Sequence, residues 1–295
     1  MLRKPRASSL PGKILASPAQ LLRDLLWTVN SPSLIVEPDP TGTRRTLTSE
    51  EVDVSHLVNF FATGPPRKVG YYFERLVLYW LVHIRHVDLI AHTLQIHSHK
   101  KTVGEIDYLF RDEQGATVHL EAAVKFYLHQ SEHSIDGSHF IGPNVRDTFE
   151  RKMQRIYEHQ LPLSIEYFPE VDIRAAIVKG RIFYEGDRTN AVELPPRMSA
   201  SHLKGGIARV GMIDSIDCAD LVRYQIRRKP WWLSDSLAHP EEDSLLTGKQ
   251  LSSYIAEHFC ELETPVLVSR LHLQYNQYAE HDRFFVIPDR WPLQA

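Results

Sequence analysis

Residues 101–127 read KTVGEIDYLFRDEQGATVHLEAAVKFY. Two extended runs, Lys101 to Phe110 and Thr117 to Tyr127, flank Arg111-Asp112-Glu113-Gln114-Gly115. A polar connection closing on glycine between two apolar runs predicts a β-hairpin. Each run carries one carboxylate in an apolar setting, Ile106-Asp107-Tyr108-Leu109 and Leu120-Glu121-Ala122-Ala123-Val124. An ionised carboxylate buried without compensation is costly, so each must meet a cation, a metal or a set of donors. Side chains alternate along a strand, which puts His119, Glu121, Ala123 and Lys125 on one face of the second run and Glu105, Asp107 and Leu109 on one face of the first. A register that joins those faces gathers two carboxylates and a lysine. Magnesium asks for little more, since one or two carboxylates plus water and substrate phosphate complete its shell. Lys125 is then the cation that holds the attacking water or offsets charge building on a phosphate.

Working outward, Lys68 to His86 predicts a strong helix, apolar on nearly every side through Tyr72, Phe73, Leu76, Val77, Trp80 and Leu81, hence buried on more than one face. Glu74, beside Arg75, interrupts that surface and is a third candidate carboxylate. Asp88 to Ile96 reads as a further strand. After the hairpin, Asn144 to Gln160 carries Val145, Phe149, Met153, Ile156 and Tyr157 at helical spacing, with Asn144 and Asp147 placed to cap its start. Asp172 to Val178 is a buried strand. The order is helix, three strands, helix, strand. Two shorter helices, Pro18 to Val29 and Ser49 to Phe61, precede it and stop at the Gly64-Pro65-Pro66 breaker. Beyond Gly180, Arg181 to Tyr184, a helix from Gly248 to Phe259 and strands at Pro265 to Leu271 and Arg283 to Ile287 form an α+β extension that adds strands to the sheet or covers its edge. The chain thus divides into N-terminal helices over 1–66, a core over 67–180 and an extension over 181–295.

At 295 residues and 43% hydrophobic content the chain can bury a full core. Its 34 basic against 37 acidic residues leave a net charge of −3, so any contact with a polyanion must come from local patches. Two isolated cysteines suit a reducing compartment and build neither a disulfide framework nor a CxxC zinc site. Leu76 to Ile84, the longest apolar stretch, is far short of the ~20 residues that span a bilayer. Met1 to Arg23 is basic and acid-free but lacks the apolar centre of a secretory signal, so a disordered lead is expected, with an organelle transit peptide as the alternative. A cytoplasmic protein is the expectation. No GxxxxGK[ST], GxSxG or HExxH occurs, which removes the usual nucleotide hydrolase, esterase and zinc-protease readings.

Three weaker features bear on nucleic acid. Thr148, Lys152, Arg155 and His159 share a helical face, and Lys152 and Arg155 are candidate backbone contacts; a solvated charged face is the plainer reading. Gly142-Pro143 before a helix start is a candidate anion seat. Arg223, Arg227, Arg228 and Lys229 lead into Trp231-Trp232, suited to stacking on unpaired bases or, equally, to a basic rim around a core tryptophan.

Several segments together carry a resemblance: Val69-Gly70-Tyr71-Tyr72-Phe73-Glu74, Gly104-Glu105-Ile106-Asp107, His119 through Leu128, and Gly142-Pro143-Asn144 with Asp147 and Lys152. Over about residues 55 to 210 the chain resembles the bacterial domain-of-unknown-function family 1853, grouped with the PD-(D/E)XK nuclease-like superfamily. The resemblance implies a restriction-endonuclease-like αβββαβ core with a mixed central sheet and metal-dependent phosphodiester chemistry. It matches Glu74 to the helix carboxylate, Asp107 to the metal-binding aspartate, Glu121 to the second carboxylate and Lys125 to the lysine. The chain departs from the superfamily's E-x-K spacing: Ala123 stands two after Glu121 and Lys125 four after, about 6.5 to 7 Å further along an extended strand but on the same face. Ile106 stands where proline is usual. The expectation is a Mg2+- or Mn2+-dependent nuclease acting on DNA or RNA. The alternative, supported by the displaced lysine and the lack of net positive charge, is an inactive nuclease-like module that binds nucleic acid or a protein.

Overall fold

The computed structural model describes residues 17–36, 46–62, 68–99, 101–186, 192–215 and 218–292. Most of the basic lead and the Gly64-Pro65-Pro66 breaker lie outside the described residues.

Helix α1 (Pro18–Asn30) is capped by Ser17, whose hydroxyl accepts from Gln20 N at 3.1 Å. The single helix expected from Ser49 to Phe61 is two pieces, a 3-10 turn over Ser49–Glu51 and α2 (Val54–Ala62). Asp53 restarts the chain between them, its carboxylate accepting from His56 N at 3.0 Å. Helix α3 (Val69–Tyr79) continues as a π-helical turn over Trp80–Ile84 and buries Tyr72, Phe73, Leu76 and Val77. Among the described residues no helix is long and apolar enough to cross a membrane.

Strands β1 (Asp88–Ser98), β2 (Lys101–Arg111) and β3 (Thr117–His129) follow as an antiparallel meander, and the short β4 (Phe140–Ile141) pairs with the end of β3. The next helix starts later than expected. Asn144 and Asp147 lie in a turn closed by Gly142 N–H on Asp147 O at 2.8 Å, and Thr148 is the cap of α4 (Phe149–Gln154), accepting from Arg151 N at 3.3 Å. It also runs on past Gln160, through a π-helical stretch over Arg155–Gln160 into α5 (Leu161–Tyr167). Pro162 falls in the first turn of α5, directly after the widened π turn, which gives its ring room.

Strand β5 (Ile173–Glu185) pairs in parallel with β3. Arg181 to Tyr184 is its continuation, so the boundary drawn at residue 180 falls inside a strand. Gly180 makes that passage: its φ is +148°, and a Cβ there would sit 1.7 Å from Lys125 O on β3. The chain then adds β6 (Leu203–Arg209), β7 (Val222–Ile226), β8 (Leu237–Ala238), helix α6 (Gly248–Glu261), β9 (Val266–Gln274) and β10 (Gln277–Ile287). The result is a mixed α/β protein on one large sheet of order β1-β2-β3-β5-β6-β10-β9-β7, parallel across β3-β5-β6-β10 and antiparallel outside. Of the two roles expected for the C-terminal region, it takes strand addition.

β3 is buried on both faces, which is why its run of apolar residues is nearly unbroken. Val118, Leu120, Ala122, Val124, Phe126 and Leu128 join the core under α1, α2 and α3; Ala123 and Tyr127 meet Phe149, Met153 and Ile156 on the other side.

Candidate functional site

The β2–β3 hairpin is paired only from Arg111↔Thr117 to Tyr108↔Leu120. Past that point β2 stays with β1 and β3 with β5, so the two strands fork. The fork leaves backbone donors facing a gap, and the two predicted carboxylates fill it. Asp107 N–H donates to Glu121 Oε1 at 3.3 Å, and Ala122 N–H donates to Asp107 Oδ2 at 2.9 Å. The sequence places both acids at this point because the hairpin turn fixes the register and the two-residue period fixes the face. Helix α3 is docked beside the fork by Tyr108, whose hydroxyl donates to Glu74 O at 2.6 Å.

Electrostatics confirm the crowding. Burial and then the neighbouring Glu121 charge push Asp107 up to about 7. Burial pushes Glu121 up to about 7, against the relief given by Asp107 N–H, Lys152 and Gln160. Burial, Asp107 and Glu105 push Glu74 up to about 7 as well. The structure thus brings Glu74, Asp107 and Glu121 into one acidic cluster, with Glu105 at its margin.

The lysine that faces this cluster is Lys152. Its charge lowers all three carboxylates, and its ammonium donates to Gln160 Oε1 at 3.1 Å, while Gln160 Nε2 in turn donates to Glu121 Oε2. Lys125 is placed elsewhere: its Nζ is 2.6 Å from Asp147 Oδ2, which also accepts from Tyr127 Oη at 3.3 Å. The extra two residues of strand carry Lys125 past the acids, and α4 supplies a cation from the other layer. Arg155 is exposed beside Lys152 and bears on its charge without touching the carboxylates.

Glu121 is held from a second side. Arg174 Nε donates to Ser164 Oγ at 3.0 Å, Ser164 Oγ lies 2.8 Å from His119 Nδ1, and His119 Nε2 lies 2.9 Å from Glu121 Oε1. Burial lowers His119 to about 4, so it is neutral at pH 7 and its contact with Glu121 is a hydrogen bond rather than an ion pair. An ionised Glu121 requires the Nε2–H tautomer, with Ser164 donating to Nδ1. Sequence reading put His119 on the right face but gave it no role, and nothing in the sequence marks Gln160 or Ser164, which reach the site through the fold of the helix containing α4 and α5.

The other candidates resolve differently. Trp232 is 7% exposed, donates its indole N–H to Arg227 O at 2.9 Å and packs edge-on against Phe126 and Phe285. Arg227 is buried against the carbonyls of Trp231 and Ser234. Trp232 is thus a core tryptophan with a basic rim, its ring packed away from any stacking partner. Gly142-Pro143 does not abut a helix start, since the helix begins after Thr148.

Among the described residues no group of three or more His, Cys, Asp or Glu side chains forms a ready-made metal shell. The donor set nevertheless fits a hard dication. Asp107 Oδ1 and both carboxylate oxygens of Glu74 accept no hydrogen bond among the described residues. Magnesium takes one or two carboxylates and completes its octahedron with water and phosphate oxygens. A cation there would offset the burial that raises all three carboxylates and the neighbouring charges that add to it at Asp107 and Glu74.

No curated protein and no solved structure matches the chain. The family described as a domain of unknown function (DUF1853) matches residues 23–287, nearly the whole length, and the chain belongs to that family.

Proposed function

We propose that this protein is a Mg2+- or Mn2+-dependent nuclease of the PD-(D/E)XK kind, hydrolysing phosphodiester bonds of DNA or RNA. The observation that carries the reading is the forked hairpin: Asp107 and Glu121 cross-cap it, Glu74 joins them from α3, and Lys152 is the facing cation. When bound, the metal supplies Lewis-acid polarisation of the phosphate and a water acidified toward neutral pH. Asp107 and Glu121 would hold it, His119 and Gln160 keep the Glu121 carboxylate in one orientation, and Glu74 would orient the attacking water. Lys152, steadied by Gln160, stabilises the charge that grows on the phosphate oxygens. Cytoplasmic work fits the exposed cysteines Cys218 and Cys260, whose thiols a reducing compartment preserves.

The test pairs calorimetric titration of Mn2+ and Mg2+ with cleavage of end-labelled oligonucleotides. Wild type should bind metal and cut, and Asp107→Asn should do neither while keeping or raising its apo Tm, because one of the repelling charges is gone. Absence of metal affinity at millimolar concentration together with absence of cleavage would leave the inactive nucleic-acid or protein-binding module as the better account.

A further inference from the structure

A groove of about 1180 Å3 lies beside the fork, walled by the start of α3, the end of β3, the Gly142–Asp147 turn and the loops around Lys229, Pro265 and Trp291. Five cations line it, Lys68, Lys125, Arg146, Lys229 and Arg290, against two acids, Asp147 and Glu263. The chain as a whole carries −3, so this local excess runs against the overall charge. Lys125 and Asp147 cancel in their ion pair. Lys68, Arg146, Lys229 and Arg290 are exposed and form no ion pair among the described residues, leaving four uncompensated cations facing the lone Glu263.

The groove neighbours the acidic cluster along α3, although no carboxylate of the cluster lines it. Gly70 lines its wall, and a Cβ on Gly70 would stand 3.9 Å from Glu74 Oε1. Lys125, on the same wall, is close enough to Lys152 to lower its pKa. The aromatic residues beneath are not available for stacking: Trp232 and Trp291 are 7% and 5% exposed, and the Lys229 ammonium lies over the Trp232 ring at 4.7 Å. Cations are therefore presented without free ring faces, which suits phosphates and not bases. The volume slightly exceeds the roughly 300–1,000 Å3 of small-molecule pockets, room for a short run of single strand and too little for the girth of a duplex.

We propose that this groove seats the sugar–phosphate backbone of single-stranded nucleic acid, without sequence preference, and feeds it to the carboxylate fork. Its direction toward the fork rests on the nuclease reading; its binding of the strand does not. The test is fluorescence anisotropy of a labelled oligothymidylate with the full-length protein in EDTA, where nothing is cut. For single strands the salt slope is about −0.7 per phosphate neutralised. Lys229→Ala/Arg290→Ala and Lys68→Ala/Arg146→Ala should each weaken binding by about tenfold or more and reduce the slope by about 1.4, whereas Lys249→Ala on α6 should change neither. Both double variants should keep the wild-type Tm and calorimetric metal affinity. Wild-type affinity and slope in both double variants, or failure of the wild type to bind, would overturn the proposal, as would a duplex of the same length that binds more tightly through the same cations. If the protein neither binds metal nor cleaves while the double variants still lose oligonucleotide binding, the nuclease reading falls and the groove stands.

Discussion

Lys152 and Lys125 are separable by what each touches. Lys152 faces three carboxylates and is held by Gln160, whereas the Lys125 ammonium is committed to Asp147 at 2.6 Å. Lys152→Ala should lower kcat by about a hundredfold or more, the scale of removing one preorganised electrostatic group. Lys125→Ala should leave kcat within a few-fold and raise KM, because it frees the Asp147 charge into the groove; equal losses in kcat would restore Lys125 to the reacting phosphate. A second consequence concerns pH. Asp107, Glu121 and Glu74 have folded-state pKa values of about 7, above their ordinary values. Between those values the folded protein holds more protons than the unfolded chain, so their contribution favours folding at low pH and is lost as pH rises through about 7. The Tm of metal-free protein should fall between about pH 5 and about pH 8, Asp107→Asn should flatten that fall, and Mg2+ at the higher pH should restore it. A Tm that climbs across the window would mean that cations of the protein already balance the cluster. At this scale the acids were legible, since a carboxylate in a strand of alternating apolar residues needs a reason. The lysine was not, because its partner strand lies in another layer, 31 residues before it in the case of Glu121.

The elements were read from periodicity, and they fail where periodicity is silent. Asn144 and Asp147 mimic a capping pair, yet Gly142 and Asp147 close a turn on themselves and Thr148 does the capping. Thr148→Ala should therefore cost about 1 kcal/mol in chemical denaturation and Asn144→Ala only a few tenths; the reverse order would put the helix start back at Asn144. The π-helical turns at Trp80–Ile84 and Arg155–Gln160 have no sequence signature, and the second is the one that presents Gln160 to Glu121. Glycine at 180 looked like an end and is a passage, because only a residue without Cβ clears the Lys125 carbonyl while β5 runs on.

Across the whole molecule the first helix and the last strand are tied to the loop around Ser234 through buried polar groups. Asp24 on α1 accepts from Ser234 N at 3.0 Å and Oγ at 2.6 Å, and from Tyr72 Oη of α3 at 2.9 Å. Arg283 on β10 is 0% exposed and donates to the carbonyls of Trp232 and Ser234 and to Glu280. Burial alone would raise the Glu280 carboxyl, but Arg283, Arg227 and the Ser269 hydroxyl together outweigh it and hold it low. Arg283→Ala should cost about 3 to 5 kcal/mol in denaturant unfolding, the range for stranding one member of a buried ion pair; a loss below about 1 kcal/mol would show that Glu280 finds another partner. The sequence by itself determined the helix and strand order around the hairpin, the faces of Asp107 and Glu121, and the need to compensate them, because these follow from local period and from the cost of burying charge. Only the tertiary structure decided that the hairpin forks at those acids, that Lys152 and not Lys125 answers them, that the C-terminal strands extend one sheet, and that four scattered cations line one groove. Each of those depends on contacts between residues far apart in the chain, whose pairing is set by packing of layers and leaves no local pattern to read.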